Sequence, residues 1–243
     1  MILIILPIRN ESKTIRQTCE GLIKWFSENF TNYYIMFIND HSTDDTDIQI
    51  RGFKNPKVNI VMNSFDEGKG SALKTGFIFS NLMYSMNPND LVVFMDGDGQ
   101  IDPKEIRPII NRMRLDMADV GIGNKRHIYS IIEYSFLRNI VSRCYNLIIR
   151  FLFGINFQDT QCGIKIFRKH ALDKVIDKIT SKKYAFDLEI IVALRNFGLK
   201  IIDSPVSIKT QTNRGSVSLS SIIHTFLDTV SIWIKMKKGF YKS

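Results

Sequence analysis

Two carboxylates one glycine apart, Asp96 and Asp98, follow the apolar run "VVFM" in the stretch "VVFMDGDGQIDP", residues 92–103. A strand that is apolar to its last residue and then delivers two like charges must set them against a cation. Hard divalent ions take carboxylate oxygens. Mg²⁺ commonly keeps one or two protein carboxylates and fills its shell with phosphate oxygens and water. A calcium EF-hand loop is excluded: counted from Asp96, the position that needs Gly is Ile101 and the position that needs Glu is Arg107. The competing reading is a turn in which Asp and Gly serve conformation alone.

A second stretch, "GKGSALKTG" (68–76), follows a strand-like run and opens a helical one. That is the position of a phosphate cradle, with glycines for close backbone approach and Lys69 for charge. It is not a P-loop, because no Gly stands at the required spacing before "GK" and Lys69 is followed by Gly70. Nor is it a GxGxxG, since position 73 is Leu. A plain glycine-rich connection is the alternative. His41, His127, His170 and His224 are scattered without metal spacing, and no GxSxG is present, so serine-hydrolase chemistry has no support.

These groups need a scaffold, and the first half of the chain supplies one. Continuous apolar runs at 2–6, 34–38, 58–62, 91–95 and 119–122 predict strands buried on both faces of a mostly parallel sheet. Between them, helical faces are predicted from Ile15, Cys19, Leu22, Phe26 and Phe30, from Ala72, Thr75, Phe79 and Leu82, and from Ile106, Ile109, Met113 and Met117. Strand–helix alternation of this kind predicts a doubly wound α/β fold, which binds ligands at the carboxyl ends of its strands. The polar loops "PIRNES", "NDHSTDDT", "NSFDEGKGSA" and "DGDGQIDP" all follow strands, and so form the rim of one pocket. The second half reads as a long apolar helical stretch (128–153), a short strand (163–167), an amphipathic helix (185–197) and a C-terminal amphipathic helix (216–238). In the last, Leu219, Ile223, Phe226, Val230 and Trp233 form one stripe.

With 243 residues, 44% hydrophobic and 23% charged, the composition is that of an ordinary globular protein. No apolar run approaches the roughly 18–20 residues that span a bilayer. The start, "MILIILPIRN", lacks a basic region and a cleavage site and reads as a first strand. Cys19, Cys144 and Cys162 suggest neither a disulfide framework nor a zinc site, which points to a reducing cytosol. The net charge of +9 is uneven: residues 125–169 hold eight lysines and arginines against Glu133 and Asp159, and the chain from Lys209 holds six against Asp228. A basic second half prefers anionic partners.

Together, "LPIRNES", "INDHSTDDT", "GKGSALKTG" and "DGDGQ" resemble family 2 glycosyltransferases with the GT-A fold. The blocks "DTQCGIKIF" (159–167), "YAFDLEII" (184–191) and "NRGSVSL" (213–219) narrow the resemblance to dolichyl-phosphate β-glucosyltransferases and related polyprenyl-phosphate glycosyltransferases. The resemblance covers residues 1 to about 220 and implies one GT-A domain with a nucleotide-sugar half (1–123) and an acceptor half (124–215); the period and charge of the tail add a basic amphipathic C-terminal helix (216–243). The resemblance implies a nucleotide-diphosphate-sugar donor, UDP-glucose, held by Pro7, Asn10, Glu11, Asp40, Lys69, Asp96 and Asp98. It implies Mg²⁺ or Mn²⁺ on Asp96, Asp98 and Gln100. Lys125, Arg126, Arg214 and Ser216 would face a polyprenyl phosphate acceptor, and Asp98, Asp159, Lys125 and Arg126 would carry the chemistry. Two departures stand out. Asn39 and His41 replace parts of the usual "DDGS", and "GNKR" replaces "GSR" after the fifth strand.

Sugar transfer breaks the bond between the anomeric carbon and a diphosphate, and a divalent ion offsets the charge that builds on the leaving group. A lipid phosphate is already an anionic nucleophile, so it needs positive charge rather than a general base. A hydroxyl acceptor would need a base, with Asp159 and Asp187 as candidates. The leading reading is therefore an inverting glycosyltransferase acting on a polyprenyl phosphate at the cytoplasmic face of a membrane. Behind it stand a hydroxyl-glycosylating relative and, more remotely, a non-catalytic basic module binding membrane or nucleic acid. The last leaves the four loops unexplained, and its aromatics are not interleaved with the basic residues as single-strand binding requires.

Overall fold

Ile2–Ile8 (β1) and Tyr33–Asn39 (β2) are buried along nearly their whole length, as continuous runs of Ile, Leu and Phe require. They pair in parallel within the sheet of the computed structural model, which describes residues 1–63, 68–125, 136–157, 159–183, 185–207 and 219–242. Among the described residues, Val58–Met62 (β3), Leu91–Met95 (β4), Val120–Asn124 (β5), Ile164–Arg168 (β6) and Ile201–Pro205 (β7) complete one sheet. Its order is β3-β2-β1-β4-β6-β5-β7. The edge strands β3 and β7 are only half-buried. All pairings are parallel except those of β6, which runs against β4 and β5. The carboxyl ends of β1 to β5 and β7 thus share one edge, and the amino end of β6 joins them there.

The helices are Ile15–Asn29 (α1), Thr46–Arg51 (α2), Lys69–Met83 (α3), Ile106–Leu115 (α4), Phe136–Phe153 (α5), Lys169–Val175 (α6), Phe186–Asn196 (α7) and Leu219–Lys237 (α8). The expected face of α1 is buried through Phe26, but Phe30 has left the helix for extended backbone. Ile106, Ile109 and Met113 of α4 are buried. Met117 lies beyond the helix, at φ 47° and 81% exposed. The expected face of α3 is partly wrong. Leu82 is exposed, and the buried side runs through Ala72, Leu73, Gly76, Phe77 and Ser80. Gly76 explains the shift, since a Cβ there would lie 2.5 Å from Ile5 Cγ2, so α3 rests its small residues directly on β1 and β2.

In the second half, α7 is not amphipathic: every residue from Phe186 to Leu194 is buried, Asp187 and Glu189 included. Strand β7 and the short helices α2 and α6 were not anticipated. The expected stripe of α8 is also displaced: Thr229 and Ile232 are buried and Phe226 is exposed. Residues 128–135 of the predicted apolar stretch, residues 216–218 of the predicted tail helix, and the side chains of Leu219 and Ile223 lie outside the described residues. No described helix is long and apolar enough to cross a membrane.

The chain end is anchored through α7. Glu189 accepts hydrogen bonds from the Thr180 and Ser181 N–H groups, at 2.9 and 2.6 Å, and from the buried Tyr241 hydroxyl, at 2.5 Å. Burial alone would raise the Glu189 pKa, but Tyr241, Ser181 and Thr180 outweigh it and hold it below the usual carboxylate value. A depressed carboxylate stabilises the fold above its unfolded pKa, and that contribution is lost as pH falls through the folded one. Tyr241→Phe is expected to cost about 1–3 kcal/mol at neutral pH, read from urea midpoints. Glu189→Gln should be less stable at pH 7 and lose less further stability than the native chain on acidification below about pH 4.5, so that the two curves converge.

Candidate active site

At the end of β4 the chain turns out of the core, and the Asp96 N–H donates to the Gly163 carbonyl at 2.9 Å. Asp96, Asp98 and Gln100 are all half-buried, and so open to a ligand. Asp98 Oδ1 accepts from the Gln100 N–H at 3.1 Å, which fixes the loop between them. Gly97 allows this turn to lie against β1, because a Cβ there would meet the Pro7 carbonyl oxygen at 2.8 Å. Gly163 is needed more acutely: its Cβ would lie 2.1 Å from Asp96 Oδ2. The "DTQCG" block therefore makes room for the first carboxylate of "DGD", although the two are far apart in sequence.

The donor set is all oxygen: two carboxylates and one amide. Among the described residues no group of three or more His, Cys, Asp or Glu could hold an ion alone. The residues therefore fit a hard divalent ion that takes the rest of its shell from phosphate and water. When bound, such an ion supplies Lewis-acid stabilisation of a departing diphosphate.

Lys69, at the start of α3, sits among acids. Its ammonium is 2.8 Å from Asp96 Oδ1 and 3.1 Å from Asp187 Oδ2. Burial would lower its pKa, but Asp187 and Asp96 overcome that and hold it above the usual lysine value. The N-terminus of α3 is not an open phosphate cradle. The Gly70 and Ser71 N–H groups donate to the Lys182 carbonyl at 2.9 and 3.2 Å, and the Gly68 N–H donates to Asp40 at 2.9 Å. Asp40 is buried and also accepts from the Asn63 amide at 2.7 Å, so it ties the third loop to the second.

The first two loops are knitted together in the same way. Asn10, at φ 55°, accepts from the Thr43 N–H at 2.8 Å, and its own N–H donates to the Ser42 hydroxyl. The Glu11 N–H donates to Thr46, and its carboxylate accepts from the Thr14 hydroxyl at 2.8 Å. Asp44, missed in the sequence, joins them: Thr46 and Ser12 bond to it and hold its carboxyl well below the usual range. His41 has φ 59°, a left-handed conformation that suits glycine. It stands where the resembled family usually has Gly, so the substitution changes the residue but keeps the turn.

Lys125 and Asp159, both expected at the reaction centre, are brought together. The Lys125 N–H donates to Asp159 Oδ2 at 3.3 Å, and its ammonium lies 3.8 Å from the same atom. Thr160 Oγ1, next in sequence, is buried and has no hydrogen-bond partner among the described residues. Arg126, Arg214 and Ser216 lie outside the described residues. Two expectations are corrected. Asp187 does not have the setting of a general base: it is buried, gripped by Lys165 at 2.5 Å and Lys69 at 3.1 Å, and these outweigh burial to hold its pKa down. Three of the eight basic residues of 125–169 are turned away from the edge that carries Lys125 and Asp159 or are neutralised in the core. Lys165 is buried in that pair, while Arg168 and Lys169 lie at the opposite edge of the sheet, bonded to the Ala118 carbonyl and Asp173. Burial pushes the Cys162 thiol up to about 12, which removes it as a nucleophile.

Gly163→Ala is expected to displace the Asp96 carboxylate while leaving the core intact. Calorimetric Mn²⁺ binding in the presence of UDP should weaken at least about tenfold, with an unchanged far-ultraviolet dichroism spectrum. Equal affinity would show that the contact is slack.

The glycosyl transferase family 2 model matches residues 3–176. A dolichyl-phosphate beta-glucosyltransferase of Dictyostelium discoideum is 26% identical, covering 98% of this chain and 76% of that protein. An undecaprenyl-phosphate mannosyltransferase of Micrococcus luteus is 24% identical, covering 96% of this chain and 93% of that one. In three dimensions the chain is similar to glucosyl-3-phosphoglycerate synthase from Mycobacterium tuberculosis in complex with Mn²⁺ and UDP-glucose. The TM-score is 0.70 at 17% identity, over 96% of this chain and 78% of that one, a likeness of GT-A fold. By that match over residues 3–176, the chain belongs to glycosyl transferase family 2.

Proposed function

We propose that this glycosyltransferase moves a hexose, glucose from UDP-glucose, onto a polyprenyl or dolichyl phosphate, with inversion and with Mg²⁺ or Mn²⁺. The observation that carries the choice of acceptor is the state of its acids. A hydroxyl acceptor needs a base within reach. The two candidates, Asp159 and Asp187, are each already held by lysine. A phosphate acceptor needs no base, because it arrives as an anion, and Lys125 then answers its charge. The relatives named for dolichyl- and undecaprenyl-phosphate substrates support the same acceptor class. The Mn²⁺ and UDP-glucose bound by the structural relative support the donor and the ion.

In this reading residues 1–123 carry the donor. Pro7, Asn10, Glu11 and Asp40 shape the nucleoside end, and Asp96, Asp98 and Gln100 would hold the ion against the diphosphate. Residues 124–215 carry the acceptor through Lys125, with Arg126, Arg214 and Ser216 as further phosphate-facing groups. Asp159 orients Lys125. The lipid acceptor requires a membrane surface, which we assign to α5 and α8, at the cytoplasmic face. The two helices touch through Tyr145 and Thr229, at 3.0 Å. Phe151 is 90% and Leu147 63% exposed on α5, and Leu227 is 58% exposed on α8. Arg150, Lys237 and Lys238 are exposed on the same two elements and their end. Apolar side chains ringed by basic ones suit an anionic lipid interface.

Nucleotide release should be scored for a matrix of UDP- and GDP-sugars against polyprenyl phosphate, with Mg²⁺, Mn²⁺ or EDTA. The expected result is metal-dependent turnover with UDP-glucose, an acid-labile lipid product of inverted configuration, and none with Asp98→Ala. Transfer to a hydroxyl acceptor alone, or a retained configuration, would overturn it. Flotation with anionic vesicles should be lost in Leu147→Glu/Phe151→Glu.

A further inference from the structure

The ionisable groups nearest Asp96 form an alternating chain that runs inward. Asp96 Oδ1 meets the Lys69 ammonium at 2.8 Å, Lys69 meets Asp187 Oδ2 at 3.1 Å, and Asp187 Oδ1 meets the Lys165 ammonium at 2.5 Å. Lys165 is completed by the Cys162 carbonyl at 2.9 Å. The side chains grow more buried along the chain, from 33% exposed at Asp96 and 21% at Lys69 to 7% at Asp187 and 2% at Lys165. Two negative and two positive groups cancel. A divalent ion arriving at Asp96 would meet an ammonium already seated on one of its oxygens.

We propose that Lys69 is a resident counter-ion of Asp96, held there by the buried Asp187–Lys165 pair, and that it suppresses divalent-ion binding until a nucleotide diphosphate supplies anionic oxygens for both cations. This rests on the reading of Asp96 and Asp98 as a metal and diphosphate site. The physical argument is competition. Lys69 and the ion claim the same carboxylate, and with no added anion their mutual repulsion opposes joint occupancy. Asp187 makes the competition effective. By holding the ammonium from behind, it keeps a flexible four-carbon chain beside Asp96 instead of in solvent. Lys165 allows Asp187 to remain charged in the core. Lys165 and Asp187 are thus positioning residues, acting through Lys69. The pair also fixes order of binding: the ion enters with or after the nucleotide.

The test is Mn²⁺ affinity by electron paramagnetic resonance or calorimetry on the whole chain, with and without UDP. Lys69→Met should bind Mn²⁺ in the absence of UDP about tenfold more tightly than the native protein. The gain in Mn²⁺ affinity on adding UDP should shrink correspondingly, and Lys69→Arg should restore both. Asp187→Asn alone would strand Lys165 in the core, so the paired change Asp187→Leu/Lys165→Met is used, with its thermal midpoint checked. Its UDP-free Mn²⁺ affinity should lie between those of the native chain and Lys69→Met. A purely structural role for the pair would leave that affinity at the native value. Unchanged or weaker UDP-free binding in Lys69→Met overturns this inference alone, while Mn²⁺ binding with UDP preserves the metal reading. Absence of Mn²⁺ binding in every form, UDP present or not, overturns both.

Discussion

The carboxyl end of β4 and the amino end of β6 meet at Asp96 and Gly163, and the working edge of the molecule is built outward from that contact. A strand that ran parallel here would bring its carboxyl end, and a further loop, to the edge. The antiparallel β6 brings its beginning instead, so the segment 159–163 reaches the carboxylates from the other half of the chain. One backbone hydrogen bond and one missing Cβ set the distance. Asp159 and Lys125 then face the same edge because β5 lies on the far side of β6. The first and second halves of the chain are therefore not two bodies in contact: their strands share one sheet, joined where β4 pairs with β6.

The charges follow from that geometry. Leaving a buried acid without its partner costs about 3–5 kcal/mol, so a carboxylate such as Asp187 requires its lysines. Replacing buried ion pairs by apolar groups is often neutral, which makes mere stability a weak reason for Lys165 and Asp187. Their connection to Lys69, and through it to Asp96, gives a reason tied to function. It also explains why α7 is buried all round and yet carries two acids: Asp187 faces the site, and Glu189, two residues on, takes the backbone of 180–181 and the chain end.

What could be read in advance depended on the range of the physics involved. Buried parallel strands declare themselves locally, in runs such as "ILIIL", and the loop that follows each is local too. The carboxylates of Asp96 and Asp98 were legible for that reason. The face of α3 was not, because Gly76 pressed on Ile5 and Ile38 decides it, and that contact joins three elements. Strand β7 was missed because "IIDSP" is a half-buried edge strand with a polar centre, too short and too mixed for either period. The blocks "DTQCG" and "FDLE" were visible as motifs, but their roles were not. Gly163 matters through the volume of Asp96, and Asp187 through two lysines from other elements. The sequence counts of basic residues misled for the same reason: summed charge is blind to Lys165 being neutralised inside and to Arg168 pointing to the other edge.

The segment 180–182 joins these themes. Its first two N–H groups, together with the Thr180 hydroxyl, bind Glu189, which also holds Tyr241 at the end of the chain. Its third residue turns its carbonyl to the N–H groups of Gly70 and Ser71, the first turn of α3 that carries Lys69. Lys235 of α8 reaches the same Thr180 hydroxyl and lies 3.7 Å from Glu189. A displacement of α8 would therefore pull on the peptide that seats the helix bearing the counter-ion of Asp96. Hydrogen bonds and one ion pair thus join α8 to the loop 180–182 and that loop to the first turn of α3, whose Lys69 meets Asp96.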